Sequence, residues 1–148
     1  MSASDHLGPQ FSVATWPKSE YPTNNTTVGP DIGPKEEHVY MNGQCHSLAQ
    51  SIFKKYGHPV GYVFGLGKGS SSEKHYFNYD KTDKTQGFDI KGRRPVENIV
   101  KDLYGYGHLD FHNAPKKFEA RIAKKTLLPM NQEAADHFAE KIIKRVNK

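Results

Sequence analysis

The spacing of apolar residues changes several times along this chain, and each change predicts an element. Over 45–56, Leu48, Ile52 and Phe53 recur at helical spacing with Ala49 beside them, which predicts a helix with one buried face. Asn42 and Gly43 suit its start, and Gly57 followed by Pro59 is a stop signal. Val60, Tyr62, Val63 and Phe64 give 59–66 the β-branched and aromatic content of a strand. Gly65, Gly67, Gly69 and Ser70 to Ser72 then read as a loop. Segments 75–79 and 88–91 are apolar and aromatic on either side of the polar, turn-rich run 80–87, the pattern of a hairpin. Pro95 suits a helix start, and Val96, Ile99, Val100 and Leu103 follow at helical spacing. Ala135, Phe138, Ala139, Ile142 and Ile143 place a last amphipathic helix at 131–146. Helix, strand, hairpin, helix, helix is an α+β order. It predicts an antiparallel sheet packed against the cysteine-bearing helix on its N-terminal side and against C-terminal helices.

No such period runs through residues 1–35. Pro9, Pro17, Pro22, Pro30 and Pro34 stand among Asn, Thr, Ser and Gly, so this stretch reads as an extended arm. The expected division is an arm at 1–35 and a single α+β domain at 36–148. Phe11, Val13 and Trp16 are costly to leave in water, which favours their lying across the domain surface.

Composition narrows the class. A chain of 148 residues suits one core. No apolar run nears the ~18 residues of a membrane span, and residues 1–9 lack the basic and apolar regions of a signal peptide. Cys45 is the sole cysteine, which excludes an internal disulfide framework and suits a reducing cytosol, the cell's own or that of a host into which the protein is delivered. The formal net charge of +5 reads as a solvated basic surface. Its basic runs at 91–94, 115–117 and 141–148, near Tyr104, Tyr106 and Phe111, leave an alternative: a non-catalytic module for nucleic acid or an acidic protein.

Three residues carry the stronger expectation. Cys45 falls in the first turn of its predicted helix, where free N–H groups and the helix dipole favour a thiolate. Its own N–H begins an oxyanion hole, to which Gln44 or Asn42 adds a side-chain donor. His75 and Asp89 lie on the two hairpin strands, each seven residues from Thr82, so a turn centred there sets them directly opposite. An aspartate beside a histidine fixes the imidazole tautomer and stabilises its charged form.

Helix-borne cysteine, then strand histidine, then aspartate on the next strand is also a family's chain order. The pieces Gly43-Gln44-Cys45-His46-Ser47-Leu48-Ala49, His75-Tyr76-Phe77 and Phe88-Asp89-Ile90-Lys91-Gly92 resemble the motifs of papain-like and transglutaminase-like cysteine enzymes. The resemblance spans about residues 38–105 and suggests a compact relative, such as a bacterial effector or phage protein. It implies Cys45 as nucleophile, His75 as general base and Asp89 as its orienting partner. It further implies amide chemistry on a protein or peptide substrate, of protease, deamidase or transglutaminase type, without a cofactor. One departure stands out: papain-like proteases carry the oxyanion glutamine several residues before the cysteine, and here Gln44 is adjacent to it. Gly65-Leu66-Gly67-Lys68-Gly69-Ser70 lacks the spacing of a phosphate loop. Cys45, His46, His75 and Asp89 show no paired metal-ligand spacing, so no metal is expected.

Overall fold

A computed structural model describes residues 8–16, 24–65 and 73–146. Helix α2 (Cys45–Tyr56) runs through the middle of the molecule and matches its predicted bounds. Leu48 and Ile52 turn toward one core cluster and Ala49 toward another, so two apolar sets hold the helix along its length. Gly57 ends it in the left-handed conformation (φ 80°) that a residue without Cβ adopts at little cost, and its N–H returns to the Phe53 carbonyl.

The main sheet has five strands in the order β6-β5-β4-β3-β7, every neighbouring pair antiparallel. These are β3 (Val60–Phe64), β4 (Glu73–Asp80), β5 (Asp83–Asp89), β6 (Gly92–Pro95) and β7 (Gly107–Asp110). The chain leaves β6 at one edge, crosses in helix α3 (Val96–Asp102), and returns as β7 at the other. Val96 and Ile99 of α3 pack with Val63, Phe77 and Tyr79 on one face of the sheet. On the other face Phe88 joins the cluster of α2 and the last helix, α5 (Gln132–Val146). Its Phe138, Ala139 and Ile142 are buried as the pattern predicts. The architecture is α+β with antiparallel sheets, and among the described residues no helix is long and apolar enough to cross a membrane.

The arm is where the sequence reading most needs correction. Phe11–Thr15 (β1) and Asn24–Val28 (β2) pair as a separate antiparallel sheet, and Phe11, Val13 and Val28 are buried in the same cluster as Leu48 and Ile52. Five-residue strands, one of them written Asn-Asn-Thr-Thr-Val, carry too short an alternation to announce themselves. The boundary at 35/36 also falls inside a helix, α1 (Pro34–Met41). Pro34 opens it, and Glu36 receives the N–H groups of Gly29 at 2.9 Å and Gly33 at 3.0 Å. Helix α4 (Ala114–Ala123) and strands β6 and β7 were likewise unexpected. Helix α4 buries only Ala114 and Phe118, and every residue of β7 is at least partly exposed.

The hairpin exists, with a tighter turn than expected. Only Lys81 and Thr82 separate β4 from β5, and the Asp80 carboxylate receives the Thr82 N–H at 2.9 Å. Asn78 pairs with Phe88 and Tyr79 with Gly87, so the register is centred on position 83 rather than on Thr82. The glycine- and serine-rich loop at 66–72, the start of the chain at 1–7, and Pro17 and Pro22 lie outside the described residues.

Candidate active site

The site begins where α2 begins. Gly43 precedes it at φ +128°, and a Cβ there would stand 2.8 Å from Leu128 Cδ1 and 3.3 Å from Trp16 Cδ1. Only glycine lets the chain turn into α2 beneath those two side chains. Gln44 is buried and acts as a clamp. Its Nε2 donates to the Ala14 carbonyl at 2.9 Å and the Pro129 carbonyl at 3.0 Å, and its Oε1 receives the Ser47 hydroxyl. Both amide hydrogens are thereby committed, so the structure corrects the expectation that Gln44 donates to an oxyanion. Asn42 is exposed and gives its Nδ2 to the His38 carbonyl at 2.9 Å, with His38 Nδ1 at 3.3 Å, closing the end of α1. It too has no donor left for the site.

Cys45 is the first residue of α2, half-buried at the edge of the cluster formed by Ala49, Val60, Tyr76, Phe111, Ala114 and Phe118. The first-turn N–H groups of a helix have no intrahelical acceptor. A further donor comes from β4: the Tyr76 N–H lies 3.5 Å from Sγ. Strand parity explains it. Asn78 faces β5 and pairs with Phe88, and Tyr76 is two residues back on the same side, where β5 no longer pairs with it. The cysteine sulfur takes the N–H that a longer β5 would have taken.

His75 and Asp89 are both buried, and Nε2 of the imidazole lies 3.1 Å from Asp89 Oδ2. Continuing the register sets Asp89 opposite Phe77, so His75 is a diagonal neighbour on the same face, within reach of a side-chain bond. Asp89 is held by two further donors, the Lys91 N–H on Oδ1 at 3.0 Å and Arg94 on Oδ2 at 2.9 Å, and Arg94 is itself paired with Asp102. Burial alone would raise the Asp89 pKa; the His75 hydrogen bond and the two cations outweigh it and hold the carboxyl below its usual range. A carboxylate only accepts, so the hydrogen between the pair sits on His75 Nε2, and Nδ1 is left as the working nitrogen.

His75 Nδ1 is buried without a conventional hydrogen bond, and the group it interacts with is the Cys45 thiol. Burial opposes ionisation of that thiol, but its interactions with His46 and His75 prevail and bring its pKa down to about 6. Burial likewise opposes charge on His75, yet Asp89 and Cys45 together raise its pKa to about 9. The three residues singled out in the sequence are thus brought together, whereas Asn42 and Gln44 are turned to other work.

Three contributors were missing from the sequence reading. The Tyr76 N–H depends on where β5 ends, which no periodicity reports. Arg94 sits in the run Lys91-Gly92-Arg93-Arg94, read as solvent-facing, but Arg93 reaches Asp80 at 2.9 Å and Arg94 reaches Asp89. His46, which the sequence offers only as a metal ligand, is fully buried next to Cys45 in the chain, its Nε2 2.8 Å from the Leu128 carbonyl and its ring edge-on to Phe118. Among the described residues no cluster of three or more histidine, cysteine or acidic side chains is arranged to hold a metal ion. Comparison with protein-family models, curated proteins and solved structures finds no match to this chain.

Proposed function

We propose that this protein is a thiol-dependent hydrolase or acyltransferase that cleaves an amide bond through Cys45, His75 and Asp89. The observation that carries the reading is the buried His75–Asp89 pair, Nε2 to Oδ2 3.1 Å, beside a half-buried thiol at the start of α2 whose pKa His46 and His75 bring down despite burial. A thiolate beside an imidazolium is a nucleophile paired with its own acid. In the proposed step the Cys45 sulfur bonds to the substrate carbonyl carbon and the carbonyl π pair moves to oxygen. As the tetrahedral intermediate collapses, His75 gives its Nδ1 proton to the departing amine. Water or an acceptor amine then releases the acyl group from the thioester, giving hydrolysis or transfer. Asp89 keeps Nδ1 directed at the sulfur and supports the charged ring.

The order of helix-borne cysteine, strand histidine and next-strand aspartate supports kinship with papain-like and transglutaminase-like enzymes. A protein or peptide substrate fits the half-buried Tyr62, Leu127 and Met130, which pack on the same cluster as Cys45. The binding-module alternative draws less support, because the arginines of its first basic run are engaged within the chain.

The test is turnover and trapping. The protein is incubated with peptide amides, including glutamine-containing ones, with hydroxylamine present as acceptor. Intact mass is read for a thioester on Cys45, and products are read for free acid or hydroxamate. Adduct and product that vanish in Cys45→Ser support the proposal. Product formation unaffected by that substitution, or a thiol alkylating with the ~8.5 midpoint of free cysteine, overturns it.

A further inference from the structure

Strand β7 forms one edge of the main sheet, and among the described residues it pairs only with β3. The Phe111 N–H goes to the Val60 carbonyl at 2.9 Å, and alternate residues of a strand turn their backbone groups to the same side. Gly107 and Leu109 therefore face β3, and the N–H and C=O groups of His108 and Asp110 point outward. Edge strands that stay unpaired are usually blunted by lysine, proline or a bulge. Here β7 reads Gly-His-Leu-Asp and keeps its register with β3 without a bulge. Leu109 is 52% exposed, and two more large rings lie open just before the strand, Tyr106 at 67% and Tyr104 at 88%. Tyr104 also sits at φ +53°, in the left-handed region that bulky residues rarely adopt. Exposed tyrosines beside an open, unblunted edge are the composition of an interface.

We propose that the outer edge of β7 pairs antiparallel with β7 of a second copy of this chain, about a two-fold axis at Leu109. This goes beyond the chemistry at Cys45 and does not depend on it. In that register His108 of one copy faces Asp110 of the other, each pair exchanging N–H and C=O, and Leu109 meets its own twin. The side chains decide in favour of it. The Tyr79 hydroxyl lies 2.6 Å from His108 Nδ1 and has no other partner among the described residues, so it donates there. The hydrogen of the neutral ring is then on Nε2, which makes that nitrogen a donor. Asp110 is 40% exposed, 3.6 Å from Lys84, and accepts. Lys84 lies over the Tyr79 ring, so His108 and Asp110 stand on one face. Centring the pair on Asp110 would set two carboxylates together, and centring it on His108 would set two donors together. Only the axis at Leu109 places each donor opposite an acceptor and covers the exposed leucine with another. Leu109 lies opposite Tyr62, which packs on the Cys45 cluster, so the joined sheet carries both copies of that cluster on one face.

The test is the oligomeric state in solution, by sedimentation from micromolar to submillimolar concentration. The unaltered chain is expected to form a concentration-dependent dimer. Leu109→Lys sets like charges at the axis and is expected to raise the dissociation constant at least about tenfold, with an unchanged far-ultraviolet circular dichroism spectrum. A chain monomeric throughout, its edge left to water or to a strand of another protein, overturns the proposal. So does a dimer indifferent to Leu109→Lys. Trapping keeps the register testable should that variant fold poorly. With the native thiol removed, Cys45→Ser/Leu109→Cys is expected to oxidise to a disulfide-linked dimer, because twin residues at the axis come within disulfide reach. Cys45→Ser/Tyr106→Cys is expected not to, because its thiols would stand about 20 Å apart. Trapping at both positions, or at neither, overturns the register.

Discussion

At the residue scale, the proposed chemistry would draw on opposed pKa shifts at Cys45 and His75. The thiol at about 6 and the imidazole at about 9 mean that the charged pair is the main form between those values. Below about 6 the sulfur gains a proton and stops being nucleophilic; above about 9 His75 loses the proton the leaving group needs. We therefore expect kcat/KM to rise and fall with limbs near pH 6 and pH 9, measured on whichever amide substrate the trapping assay identifies. A profile still climbing through pH 9 would exclude His75 as the acid. Truncations should separate the roles. Cys45→Ser and His75→Ala each remove nearly all turnover, because nucleophile and acid act as a unit. Asp89→Asn leaves a measurable remainder, since its amide still reaches the ring while its charge is gone. Arg94 is a different case. Its guanidinium bridges Asp89 and Asp102, and removing one partner of a buried pair leaves an uncompensated charge. Arg94→Gln is expected to cost about 3 kcal/mol of stability, read as a fall in melting temperature of roughly 10 °C.

At the scale of elements, what the sequence disclosed depended on whether an element buries a regular face. Helix α2, strand β3 and helix α5 carry Leu48, Ile52, Val60, Val63, Phe138 and Ile142 at helical or alternating spacing, and each was legible. Helix α1 buries Glu36 beside Val39 and Tyr40, and β6 reads Gly-Arg-Arg-Pro, so neither offers a period. Tertiary bonds, such as Glu36 to Gly29 and Arg94 to Asp89, form them instead. The candidate triad was legible for a related reason. The expected centre at Thr82 misplaces the register by two residues, and two is the strand's own side-chain period, so His75 and Asp89 stay on one face. A slip of one would have parted them. The oxyanion assignments failed because spacing cannot report that Gln44 and Asn42 bond elsewhere. One position links element to site. Gly43→Ala would force a Cβ against Leu128 and Trp16 at a φ that side chains rarely adopt, at a cost of about 1–3 kcal/mol. Because Cys45 lies two residues on, the thiol should also alkylate more slowly at pH 7. Lowered stability with an unchanged alkylation rate would show that the turn serves the fold alone.

At the scale of the molecule, the start of α2 is held by parts of the chain far apart in sequence. Gln44 bonds to Ala14 in β1 and to Pro129 after α4, His46 bonds to Leu128, and Asn131 reaches back to Ser12 at 2.8 Å. Strands β1 and β2, which lie in the stretch whose prolines predict an arm, are therefore one wall of the assembly that presents Cys45. Phe11, Val13 and Val28 are buried with Leu48 and Ile52, and each such side chain contributes about 1.5–3 kcal/mol by leaving water. Together that is about 5–9 kcal/mol, comparable with the whole stability of a domain this size. Deleting residues 1–28 should thus abolish cooperative thermal unfolding and, with it, the low-pH alkylation of Cys45. A milder change, Val13→Ala, should cost about 2 kcal/mol while leaving the thiol titration in place, since it opens a small void without touching Gln44. Trp16 supplies the readout. Its ring stands over Gly43 and is 41% exposed, so its emission should lie between that of buried and hydrated indole in the full-length protein and shift red in Phe11→Ala/Val13→Ala. A chain lacking residues 1–28 that melts cooperatively at the wild-type temperature would show that the small sheet rests on the domain without supporting it.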